Sequence, residues 1–257
     1  MKPDEGHNLT EKELAKLERR IASVYGEAAK ELKETVDNYF RQFEKRDAEM
    51  KELIGTVVNG KEWTERDYKQ WRLNQIGRGE RFNALQKRVA ERYTKANQTA
   101  VSYVNDATPG IYSLNRNYAA YTIESVAGDV GFNLWEEQTV KRLIKDEPDL
   151  MPYYPAKRAL NRGIDLAYGK RQISACVTSS ILQGKSIKGM ADDLQTRIPT
   201  MNRTSAIRTA RTAVTGAQNA GRIDSYTAAK KMGIKLKKEW LVYCKILFIS
   251  LFPLLPL

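Results

Sequence analysis

Apolar residues recur at steps of three and four along most of the chain. Leu14, Leu17, Ile21, Val24 and Ala28 keep a heptad-like spacing, and Leu32, Val36, Tyr39 and Phe43 resume it after a skip. Such spacing lines one face of a helix, while a skip disturbs a supercoil. The pattern predicts a long amphipathic helix over residues 11–53, packed within its own domain or against a partner subunit. Thr10 and Glu13, a hydroxyl followed three residues later by a carboxylate, read as the capping box that opens it. Gly55, Asn59 and Gly60 mark a turn, after which Thr64 and Asp67 repeat the capping signature. A second helix is expected from there to Gln98, with weak points at Gly77 and Gly79, because a glycine costs about 1 kcal/mol in a helix interior.

Thr108, Pro109 and Gly110 interrupt the pattern, and helices are expected again over Ser113–Ala127 and Leu134–Lys145. Residues 146–155, D-E-P-D-L-M-P-Y-Y-P, carry three prolines and cannot be helical throughout. They form the candidate boundary between two domains. Beyond them, a helix over Lys170–Gln183 is closed by Gly184 as a left-handed cap, and Ser186 caps Ile187–Thr196. Pro199 and Thr200 break the periodicity. Ile207, Ala210, Val214, Ala217 and Gly221 then line one face of a last helix ending near Gly233. Only Lys235–Val242 carries a credible strand signal. The expectation is a mainly α protein: long amphipathic helices over residues 1–147, a smaller helical domain over 148–240, and an apolar tail over 241–257.

Shifted by one residue from the alanine-rich face, and so by about 100°, lies a second stripe of Arg208, Arg211, Thr215, Gln218 and Arg222. Thr212 and Asn219 sit one step further round. Small residues let another helix approach closely, and guanidinium donors suit phosphate or carboxylate partners. A solvated basic face is the simpler account of the spacing alone. Composition sharpens this only slightly: 43 Lys and Arg against 31 Asp and Glu give a net charge of +12, which favours contact with nucleic acid or another acidic surface. With 42% hydrophobic residues, 13 Tyr and 4 Trp, the chain has enough apolar material to fold. Cys176 and Cys244, far apart and without a second pair, are expected to be free thiols in a reducing compartment.

The run I-L-Q-G-K-S-I-K-G-M-A-D-D-L, followed by R-T-A-R-T-A-V-T-G-A-Q-N-A-G-R and a lysine-rich approach to Trp240, resembles the head morphogenesis domain of tailed-phage minor head proteins, the Mu F-like family. The resemblance covers residues 174–240. It implies a low-copy, non-enzymatic virion component, made in the host cytoplasm and built into the phage head. Its implied partners are the portal, scaffold and major capsid proteins, and double-stranded DNA during packaging or ejection. Arg203, Arg208, Arg211 and Arg222 are then the expected contact surface, and Thr212, Gln218, Asn219, Gly221 and Trp240 the motif positions that hold the packing. Two features depart from the family. Ala213 stands where an acidic residue is frequent, and the segment after Trp240 is apolar where the family continues with acidic, arginine and histidine residues. A frameshift or premature stop is the expected origin of that tail, which at 17 residues falls short of a spanning helix, so no stable membrane insertion is expected.

Catalytic chemistry has little to work with. Gly184-Lys185-Ser186 imitates the end of a phosphate-binding loop, but Ser179 stands where its first glycine is required and no strand precedes it. His7 is the single histidine, which removes His-based triads and His-containing zinc sites. Asp192 and Asp193 are adjacent and so face different ways on a helix. No metal or cofactor is expected, and the aromatics between basic residues at Trp63, Tyr68, Trp71, Phe82 and Tyr93 are read as core rather than as base-stacking platforms. The rival to the phage reading is a basic helical nucleic-acid-binding protein with no role in a virion.

Overall fold

A computed structural model describes residues 4–152, 154–156, 162–239 and 248–250. Among them the chain is mainly α-helical, as its periodicity predicts. The helices are α1 (Glu5–Arg41), α2 (Glu44–Glu52), α3 (Glu65–Gln75), α4 (Glu80–Ala127), α5 (Glu137–Asp146), α6 (Arg162–Leu182) and α7 (Ile187–Lys231). A 3-10 turn (Pro148–Leu150) and two short antiparallel pairs complete the described secondary structure. β1 (Val57–Val58) pairs with β2 (Lys61–Glu62) around the Asn59-Gly60 turn, where both residues have positive φ. β3 (Lys237–Glu239) pairs with β4 (Phe248–Ser250), so the strand expected at Lys235–Val242 is present over Lys237–Glu239, while residues 240–242 lie outside the described residues.

The chain condenses into two compact units, neither of which is a continuous segment. Residues 1–18, 102–157 and 208–257 form unit 1, and residues 19–101 and 158–207 form unit 2. This partition does not follow the expected boundary at 146–155, because α1, α4 and α7 each contribute residues to both units.

Unit 2 is built on the α1 stripe. Ile21, Ala28, Leu32, Val36, Tyr39 and Phe43 are buried as expected, while Tyr25 takes the place expected of Val24. The tyrosine wins because its ring stacks on Tyr93 and its hydroxyl donates to Asn97 Oδ1. Of the aromatics expected in the core, Tyr68, Phe82 and Tyr93 are buried, whereas Trp63 and Trp71 are half-buried. The Thr64 hydroxyl accepts from the Asp67 amide while the Asp67 carboxylate accepts from the Thr64 amide, so the capping box opening α3 is present. Gly184, at φ 71°, ends α6: its N–H donates to the Ile181 carbonyl and that of Lys185 to the Ser180 carbonyl. Ser186 Oγ then accepts from the Gly189 amide to open α7.

Three sequence expectations are corrected. Thr10 does not open α1, because the helix already starts at Glu5, where the Asp4 carboxylate accepts from the His7 amide at 2.9 Å. Fully buried inside the helix, Thr10 instead donates to the Gly6 carbonyl and accepts from Asn115. Pro109 does not end a helix either. It lies buried within α4, where the Asn105 carbonyl that lost its N–H partner accepts the Thr108 hydroxyl at 3.4 Å. Pro199 lies within α7, with Leu194, Ile198 and Ala206 buried on either side of it. An interior proline costs about 3 kcal/mol, a penalty that burial of several flanking apolar side chains, each stabilising by about 1.5–3 kcal/mol, offsets.

Candidate functional site

The arginine-bearing helix was the expected contact surface, and its two faces behave differently. In unit 1 the small-residue face is buried: Ala210, Ala213, Val214 and Ala217 are all under 5% exposed. Gly221 completes it, packed so tightly on α4 that a Cβ there would collide with the Tyr112 carbonyl oxygen and lie 3.1 Å from the Arg116 amide nitrogen. Glycine is required because no side chain fits between the two backbones.

The neighbouring stripe is largely engaged within unit 1. Arg222 donates through both terminal nitrogens to the Asp4 carboxylate and through Nε to Asn115 Oδ1 at 3.1 Å. With its side chain only 14% exposed, Arg222 is not available to an external partner, which corrects its place in the expected surface. Gln218 is buried, and its Nε2 lies 3.3 Å from His7 Nδ1. Asn115, fully buried, holds the set together by donating to Thr10 Oγ1 and the Ile111 carbonyl. The row thus fastens the first turn of α1 to α4 and α7.

Arg211 is paired but outward: Nε lies 2.6 Å from Glu18 Oε1, and its side chain is 62% exposed. Arg208 and Thr212 are exposed, with the Thr212 hydroxyl returned to the Arg208 carbonyl, and Asn219 is exposed as well. Arg203 is exposed in unit 2. Among the described residues Arg203 and Arg208 make no ion pair. Trp240 lies outside the described residues, as do Cys244 and all of the apolar tail except residues 248–250.

One cluster in unit 1 has no signature in the sequence. The Arg116 guanidinium lies 3.6 Å from the centre of the Trp135 ring, donates through Nε to Asp224 Oδ2 at 2.6 Å and through Nη1 to the Asn133 carbonyl at 2.7 Å. Trp135 is held in turn by Asn117, which accepts from its amide and donates to its carbonyl. This clamp anchors the loop between α4 and α5. A cation over an indole face is attractive even when desolvated, but it depends on a pairing 19 positions apart that helical periodicity cannot reveal.

Charge is distributed unevenly. Unit 2 carries 26 Lys and Arg against 16 Asp and Glu, whereas unit 1 carries 17 against 15. The basic excess therefore resides in unit 2. Within it, the Lys185 ammonium lies 2.7 Å from the Asp193 carboxylate, which also accepts the Ser180 hydroxyl. Burial pushes the Asp193 carboxyl up, but these two donors outweigh it and leave it below its ordinary value. The lysine that imitates a phosphate-loop residue is thus committed to a structural ion pair. Among the described residues no group of three or more His, Cys, Asp or Glu side chains converges as a metal site would require, and no helix is long and apolar enough to cross a membrane. No family model, curated protein or solved structure matches this chain.

Proposed function

We propose that this protein is a tailed-phage minor head protein, a non-enzymatic component of the virion that acts beside the portal in procapsid assembly and in DNA packaging or ejection. The reading rests on the resemblance of residues 174–240. One structural observation supports it: the R-T-A-R-T-A-V-T-G-A-Q-N-A-G-R run forms one helix in which Ala210, Ala213, Ala217 and Gly221 are buried while Arg208 and Arg211 face outward. A sequence run whose small residues serve packing, leaving cations at the surface, suits a protein that works by contact rather than by turnover.

Co-expression with the portal, scaffold and major capsid proteins of a tailed phage whose genes flank its own tests the proposal, and the absence of such neighbours would count against it. The chain should co-sediment with procapsids and be lost from them when the portal is omitted. The concentration of charge in unit 2 favours the rival reading of a nucleic-acid-binding protein outside any virion. That reading would be upheld by steeply salt-dependent DNA affinity with no association with portal or procapsid.

A further inference from the structure

Unit 2 contains a small, partly open cavity of about 20 Å³ between α4, α6 and α7, lined by both polar and apolar groups. Its lining includes Tyr93, Thr94 and Asn97 from α4, Asp165 and Gln172 from α6, and Asn202 from α7. Tyr93 and Thr94 are 4% and 3% exposed, and neither hydroxyl reaches a hydrogen-bond partner among the described residues. Leaving a buried hydroxyl unsatisfied costs about 1–3 kcal/mol, and native proteins leave few such groups unpaired. Asn97 is already engaged, accepting from Tyr25 and donating to Asp165 Oδ2 at 3.4 Å.

We propose that this cavity is an internal binding site for one water molecule, which satisfies the Thr94 hydroxyl and links the three helices beside the proline of α7. Size selects the occupant: a cavity must offer roughly 10–15 Å³ to hold a water, and a second molecule would need about twice that with partners of its own. Cavities stay dry when lined by apolar groups alone, whereas here Thr94, Asn97, Asp165, Gln172 and Asn202 stand in the lining beside Val89, Ala90, Ile173 and Ile198. Position gives it a purpose. Ile198 and Asn202, which flank Pro199, both line it, and Asn202 Nδ2 donates to the Ile198 carbonyl at 2.9 Å.

The sign of one substitution tests the site. Thr94→Val keeps the shape and removes the hydroxyl. If a water is held there, the melting temperature falls by about 2–4 °C, the shift that one lost hydrogen bond brings in a protein of this size, and Thr94→Ser retains most of it. An unchanged or raised melting temperature for Thr94→Val overturns the proposal, because deleting an unpartnered hydroxyl from a dry cavity is neutral or stabilising. A crystal structure of the full chain beyond 2 Å resolution reads the occupant directly, at roughly 2.7–3.2 Å from Thr94 Oγ1 for water. A dry cavity, or an ion with shorter contacts to several oxygens, would refute the assignment.

Discussion

The guanidinium of Arg222 grips the Asp4 carboxylate through two parallel hydrogen bonds, Nη1 to Oδ2 at 2.7 Å and Nη2 to Oδ1 at 2.9 Å, across 218 positions of sequence. Breaking a buried pair leaves an uncompensated charge and costs about 3–5 kcal/mol. At 14% and 11% side-chain exposure the lower end applies, so Arg222→Ala should lose about 3 kcal/mol in urea denaturation at neutral pH.

The same pair makes stability depend on acidity. Burial pushes the Asp4 carboxyl up, but hydrogen bonds from Arg222 and the His7 amide, together with the guanidinium charge, outweigh it and hold it below its ordinary 3.8. A carboxylate depressed in the folded state stabilises fully above its unfolded pKa, and this contribution disappears as pH falls through the folded value. Asp4→Asn keeps the helix cap and removes the charge. Its deficit relative to wild type should be constant near neutrality and shrink once the pH drops below 3.8; a deficit unchanged at pH 2.5 would contradict the assignment.

Two glycines in helix interiors should respond oppositely to alanine. At Gly26 nothing lies within 4 Å of an added Cβ, so Gly26→Ala should gain up to about 1 kcal/mol from helix propensity. At Gly221 the Cβ meets backbone of α4, which cannot swing aside, so Gly221→Ala should lose about 1–3 kcal/mol as other overpacked sites do. Chemical denaturation of the two variants side by side checks the contrast.

Arg72 is the largest fully buried side chain of unit 2. Its Nε lies 2.9 Å from Asp47 Oδ1, its Nη2 donates to the Lys185 carbonyl at 2.7 Å, and the Tyr68 hydroxyl donates to the same Asp47 oxygen. Arg72→Met strands a buried carboxylate and should cost about 3–5 kcal/mol. Adding Asp47→Leu should recover much of that loss, a coupling that a double-mutant cycle measures directly.

Cys176 is buried in α6, and burial pushes its thiol up, away from the reactive thiolate. In a Cys244→Ser background a disulfide reagent at pH 8 should modify native protein at least tenfold more slowly than urea-unfolded protein. Equal rates would place the thiol at the surface.

Local signals were legible wherever a single turn of chain decides the outcome. The Thr64 and Asp67 box, the Ser186 cap and the glycines at 184 and 233 could all be read directly, because a cap needs only an oxygen three residues from an orphan amide, or a residue free to adopt positive φ. The alanine stripe of α7 was equally plain, since helical periodicity places Ala210, Val214, Ala217 and Gly221 on one face whatever they pack against.

What lay beyond the sequence was every choice made between distant segments. Thr10 offers the same hydroxyl as any capping residue, and only Asn115, 105 positions away, makes it an interior partner. Pro109 and Pro199 carry strong local instructions to stop a helix, overruled by apolar surface buried on both sides of each. The arginine stripe was visible as a row of cations, but whether a cation meets solvent or an internal carboxylate depends on what is folded against it. Asp4 claims Arg222 and leaves Arg208 exposed. Helical character is therefore a property of the chain's own periodicity, while the roles of its charges are tertiary, because Coulomb and desolvation terms act through space and carry no record in sequence order.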